Sequence, residues 1–214
     1  MTVNKKLVFV LNLALLCIGL LSCNTKEKKI LPIYNPADFK SELVDKKLRG
    51  KTENHTVADF NLTNQNGQVI TQENYKDKIY VTDFFFTTCG TICPIMTDNM
   101  GKIQEEFIDD DEIMFLSLSV LPETDNVTIL KEYAKAKGVI DKKWNITTGD
   151  KNHIYKLARQ SYFAVVKQGD EQQDFIHTPN FILIDKKKQI RGIYDGTNDE
   201  DIKRIIEDIH ILKN

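Results

Sequence analysis

The sequence predicts an α/β sandwich: a central mixed β-sheet flanked by helices, with an N-terminal β-hairpin. Three observations predict it. Two dense apolar runs, "KIYVTDFFFT" (78–87) and "EIMFLSLSV" (112–120), have the β-branched and aromatic content of buried central strands. Segments of helical periodicity follow both runs. The chain then closes with a hairpin pattern and one amphipathic helix, so strands that alternate with helices end in an antiparallel pair.

The elements follow in order. "VADFNLTNQNGQVIT" (57–71) alternates apolar and polar residues around Asn66-Gly67, a strong hairpin signal. After the first central strand, Ile95, Met100, Ile103 and Phe107 recur at helical spacing, and Pro94 is expected to open that helix at its tolerated first turn. After the second strand, Asp125 is the expected N-cap of "NVTILKEYAKAKG", which Gly138 stops. "KNHIYKLARQSY" (151–162) reads as a short helix. "FILID" (181–185) and "QIRGIYDG" (189–196) read as a hairpin, and "NDEDIKRIIEDIHIL" (198–212) as the closing helix.

Residues 1–22 differ from the rest. Lys5 and Lys6 precede "LVFVLNLALLCIGLL", an apolar run that is short for a membrane span and ends on small residues, as a secretory signal peptide does. The following "LLSC" (20–23) resembles the bacterial lipoprotein signature, which implies cleavage before Cys23 and a lipid on that cysteine. The expected organisation is a signal peptide over 1–22, a tether over 23–52 and a folded domain over 53–214. That domain is expected outside the cytoplasm, on the periplasmic side of the cell envelope, held to a membrane by lipid. Removal of the signal peptide leaves a net charge of about −4, so the chain offers no basic face for nucleic acid.

The chain has 4 cysteines. Cys17 leaves with the signal peptide and Cys23 goes to lipid, so only Cys89 and Cys93 remain, spaced C-x-x-x-C. One close pair is no disulfide scaffold for a domain of this size; it is a reactive or metal-binding site. The pair lies between a strand end and a helix N-terminus, where free amides and the helix dipole lower thiol pKa. If residues 89–93 are helical, the two thiols share a face, near enough for a soft ion or for a disulfide. The spacing selects neither use. One imidazole added to two thiolates would suit Cu(I). Of the histidines, His55, His153 and His210 read as structural or solvated. His177, in the loop that feeds the strand "FILID", is the candidate third ligand. Met96 reads as helix core.

The ordered segments "LTNQNGQVIT", "KIYVTDFFFTTCGTICPIM", "FLSLSVLPETD", "WNITTGD" and "IHTPNFILID" resemble the Sco (SenC) family of thioredoxin-fold copper chaperones over roughly residues 57–212. The resemblance implies a thioredoxin-like fold and copper, as Cu(I) or Cu(II), bound by Cys89, Cys93 and His177. It implies delivery of that copper to the copper-site subunit of a respiratory oxidase, or to another copper or thiol protein. Gly90 and Thr91 stand where family members commonly carry a proline and an acid, so a local carboxylate is lost.

A second reading stands beside it. Asp83, six residues before Cys89, matches the buried acid of thioredoxins, and "TPNFILID" resembles the segment that carries their cis-proline, here Thr178-Pro179. In this reading the chain is a thiol–disulfide oxidoreductase: Cys89 attacks, Cys93 resolves and Asp83 accepts a proton. Peroxiredoxin chemistry fits poorly, because Phe86 and Gly90 occupy the positions where a threonine or serine is needed. A structural zinc site lacks an evident fourth ligand.

Overall fold

A computed structural model describes residues 29–40, 44–53, 55–164 and 178–213. The chain divides into a unit over Met1–Ile30, almost all of it outside the described residues, and a compact unit over Leu31–Asn214. The strands are β1 (Asn61–Asn64), β2 (Val69–Thr71), β3 (Ile79–Phe85), β4 (Ile113–Ser119), β5 (Trp144–Thr148), β6 (Asn180–Ile184) and β7 (Ile190–Asp195). The helices are α1 (Ile92–Glu106), α2 (Val127–Ala136), α3 (Lys151–Gln160) and α4 (Asp199–Lys213).

The strands form one sheet in the order β2-β1-β5-β4-β3-β6-β7. β3, β4 and β5 are parallel at its centre, and the β1–β2 and β6–β7 hairpins add antiparallel edges. The sheet is therefore mixed, as expected, with a parallel core buried on both faces. Alternation along β3 divides the two cores. Tyr80 and Phe84 join α3 residues Ile154, Leu157 and Ala158 on one face. Ile79, Val81 and Phe85 join residues of α1, α2 and α4 on the other.

Two expectations need correction, and two further points emerge from the structure. α1 begins at Ile92 with Thr91 as its N-cap, so Pro94 sits in the first turn without opening it. The N-cap of α2 is Asn126, whose side chain accepts from the Ile129 amide, and Asp125 is buried elsewhere. β5 carries no apolar pattern that marks a strand: "WNITT" has polar residues, and their burial comes from hydrogen bonds. Asn145 donates to Tyr75 Oη, and Thr147 donates to the Ser117 carbonyl. No peptide bond among the described residues is cis, so Thr178–Pro179 is trans. Gly138 does stop α2, at φ +66°.

Part of the stretch read as a tether lies on the fold. Leu31 is buried, Tyr34 bridges to Ile190, and Arg191 donates to the carbonyls of Leu31 and Pro32.

α1 is held in place by buried polar ties as well as by apolar packing. Asn99 donates to the Gly196 carbonyl, and Gln104 bridges the Gly138 carbonyl and the Ile140 amide. α4 is fastened by Tyr194, whose hydroxyl donates to Asp208 at 2.9 Å and whose ring packs over Gly192. A Cβ at Gly192 would fall on that ring and hydroxyl. Gly192→Ala is therefore expected to lower stability by about 1–3 kcal/mol, through displacement of Tyr194 from Asp208. Urea denaturation of the variant measures it, and an unchanged midpoint would contradict the packing.

Candidate metal and thiol site

The site forms where β3 ends and α1 begins. β3 runs out at Phe85, and the chain turns through Phe86–Cys89, closed by the Cys89 amide donating to the Phe86 carbonyl at 3.2 Å. Cys89 lies outside the helix and Cys93 is its second residue. The two thiols meet without a continuous helix between them: the Cys93 amide, one of the unpaired donors of the first turn, donates to Cys89 Sγ at 3.4 Å. The Cys89 sulfur thus takes the place of a cap on α1. Both cysteines are free thiols and buried, at 7% and 3% exposure, while Gly90 and Thr91 between them are exposed.

The two thiols differ in acidity. Burial pushes the Cys89 pKa up, but hydrogen bonds from the Cys93 thiol, the amides of Thr91 and Cys93 and the Thr91 hydroxyl outweigh it. The result is a Cys89 pKa lowered to about 7. Burial and the neighbouring Cys89 push Cys93 up to about 12. Thr91 Oγ1 lies 3.7 Å from Cys89 Sγ, so a hydroxyl faces the first thiol in this loop.

Asp83 lies on β3 with 1% exposure, directly paired in register with Ser117 of β4. The Ser117 hydroxyl donates to Asp83 at 2.5 Å and accepts from Trp144 Nε1 at 2.9 Å. Burial raises the Asp83 pKa to about 7, against the hydrogen bonds from Ser117 and its own amide. Its charge acts on both Cys93 and Tyr133. Tyr133 bonds Thr97 Oγ1 at 2.7 Å, and Thr97 donates to the Cys93 carbonyl. Asp83, Cys93 and Tyr133 therefore form one coupled polar group under α1.

The remaining candidates separate cleanly. Met96 is fully buried in the core of the α1 face. His55 bonds the Ser161 carbonyl, His153 accepts from the Asn61 amide, and His210 packs by Phe107. His177 and Cys23 lie outside the described residues. Among the described residues no three His, Cys, Asp or Glu side chains form a metal-holding group, so Cys89 and Cys93 stand as a pair. Two buried sulfurs in hydrogen-bonding contact are a donor set for a soft cation.

The sequence profile of the SCO1/SenC family matches residues 49–213. The chain belongs to the SCO1/SenC family. Its fold is thioredoxin-like, as in the solved Sco structures it resembles. It is similar to a SCO1/SenC family lipoprotein from Bacillus anthracis str. Ames, at 31% identity and TM-score 0.67, over 75% of this chain and 96% of that one. It is also similar to BsSco, a Sco-family cytochrome c oxidase assembly protein described as having a disulfide switch. That match is 29% identical with TM-score 0.65, over 75% and 95% of the two chains. Bradyrhizobium japonicum ScoI, solved with copper bound, matches at 25% identity and TM-score 0.56, over 70% and 98%.

The raised pKa of Asp83 gives this Sco chain a measurable pH signature. A carboxyl at 3.8 when unfolded and about 7 when folded favours the folded state fully below pH 3.8. That contribution is lost as pH rises through about 7, because the buried carboxylate must then ionise. Asp83→Asn, which still accepts from Ser117, is expected to be more stable than the parent at pH 8 by about 1–4 kcal/mol. The advantage should shrink towards pH 4. Denaturant titrations at both pH values test it, and a pH-independent difference would contradict a carboxyl held neutral by burial.

Proposed function

We propose that this chain is a membrane-tethered, extracytoplasmic copper-binding assembly factor that passes copper to the copper centre of a respiratory oxidase. The observation that carries this reading is the Cys89–Cys93 pair: two buried thiols in contact at a helix N-terminus, one acidic and one not. His177 is proposed as the third ligand. The copper bound to the Bradyrhizobium relative and the oxidase-assembly role of BsSco support the cargo and the destination. The lipid on Cys23, with 1–22 as signal peptide, is proposed from the "LLSC" stretch and from the lipoprotein relative. Among the described residues no helix is long and apolar enough to cross a membrane.

Metal capture at such a pair requires loss of both thiol protons. Cys89, ionised for much of the time near pH 7, is the entry ligand. Cys93 gives up its proton only as the metal engages, and Asp83, whose charge acts on Cys93, is the proposed acceptor. Ile95, 49% exposed at the first turn of α1, supplies apolar surface beside the site for a docking partner.

The same asymmetry favours thiol–disulfide exchange as a second activity. The Cys89 thiolate attacks a partner disulfide and displaces one partner thiolate, which forms a mixed disulfide. Cys93, deprotonated to Asp83, then attacks Cys89 Sγ and releases the second partner thiol. The partner leaves reduced and Cys89–Cys93 is left oxidised, so the chain cannot take copper until it is reduced again.

The expected outcome of anaerobic titration is one copper per reduced chain and none after oxidation of Cys89 and Cys93. His177→Ala should weaken Cu(II) binding sharply and leave reduction of a disulfide substrate largely intact. An unchanged affinity in that variant would remove His177 from the site.

A further inference from the structure

Asp125, expected as a helix cap, is instead fully buried at the edge of the thiol turn. Its Oδ2 accepts from the Thr87 amide at 3.1 Å, and its Oδ1 accepts from the Thr87 hydroxyl at 2.5 Å. Ser119 Oγ, at the end of β4, donates to Oδ2 as well. The carboxylate is itself held: the Asp125 amide donates to the Leu121 carbonyl, and the Leu121 amide donates to Ser119 Oγ. The Val120 amide donates to the Phe85 carbonyl, so the β4–α2 connection is tied to the end of β3 at two neighbouring points.

Thr87 is the second residue of the Phe86–Cys89 turn, and Asp125 grips it by both backbone and side chain. Rotation of the turn would carry Cys89 Sγ away from the Cys93 amide, and the exposed Gly90-Thr91 link opposes this only through the bonds from Thr91 to the sulfur: a Cβ at Gly90 would meet no atom within 4 Å. The position of Cys89 therefore depends on what holds the turn behind it. A buried carboxylate is costly unless its donors are in place, so it gives the turn one strongly preferred position.

We propose that Asp125, through its two-point grip on Thr87, is a positioning residue that holds Cys89 Sγ against the N-terminus of α1. The proposal rests on Cys89 and Cys93 being the working pair. It adds a residue that touches neither thiol and sets the reactivity of the first.

The test uses the full chain in detergent micelles, reduced and free of metal. Alkylation of Cys89 by iodoacetamide at one pH is followed by peptide mass spectrometry, with thermal unfolding measured in parallel. Thr87→Val and Asp125→Asn are each expected to slow Cys89 alkylation by roughly three- to tenfold, the scale of losing a charge-assisted hydrogen bond. Thr87→Ser, which keeps the hydroxyl, should stay within roughly twofold of the parent. Parental alkylation rates in Thr87→Val and Asp125→Asn, with only a lowered melting temperature, would overturn the proposal and leave Asp125 a structural residue. Thr87 is half-buried and valine keeps its shape, so Thr87→Val decides the matter alone where Asp125→Asn does not fold. A Cu(I) competition titration on the same proteins separates the two readings. A parent that is alkylated as expected yet takes no copper rejects the copper function and leaves the positioning role standing.

Discussion

The hydrogen bond from the Cys93 amide to Cys89 Sγ is the constraint on which the site depends. It joins the end of the central strand to the start of α1, and it makes a sulfur the anion that the helix terminus requires. Everything that positions either end contributes to it. Asn99 and Gln104 hold α1, the β3–β4 register fixes the strand end, and the Phe86–Cys89 turn delivers the first cysteine.

That one bond also explains why two identical side chains behave differently. Cys89 collects donors from the helix start and from Thr91, so its anion is stabilised despite burial. Cys93 is buried beneath it, next to Cys89 and within the field of Asp83, so its proton is retained. The pair therefore presents one ready sulfur and one latent sulfur. A soft cation and a partner disulfide would meet the same arrangement in the same order. This is the physical reason metal binding and redox exchange share one site in this reading and exclude one another at any instant.

Much of the fold was legible in the sequence because its central strands are largely apolar and its turns carry Gly67 and Gly138 at positive φ. β5 was not, because its burial is built from Asn145 and Thr147, whose partners lie on distant strands. The two cysteines stood out by spacing, but their geometry did not follow from it. The spacing allowed a helical i, i+4 pair, whereas the turn before α1 brings the sulfur to the helix end from outside. Asp125 was misread for a related reason. It directly precedes a helix, where acids commonly cap, and only the folded chain shows Thr87 waiting on its other side. No local pattern reports a partner 38 residues away.

The central claim is that Cys89 and Cys93 hold one copper ion together with His177. X-ray absorption at the copper edge of the full chain, loaded with one equivalent of Cu(II), tests it most directly. The account predicts a first shell with two sulfur scatterers and an imidazole contribution that His177→Ala removes. A shell of oxygen and nitrogen alone, with no sulfur, would contradict it.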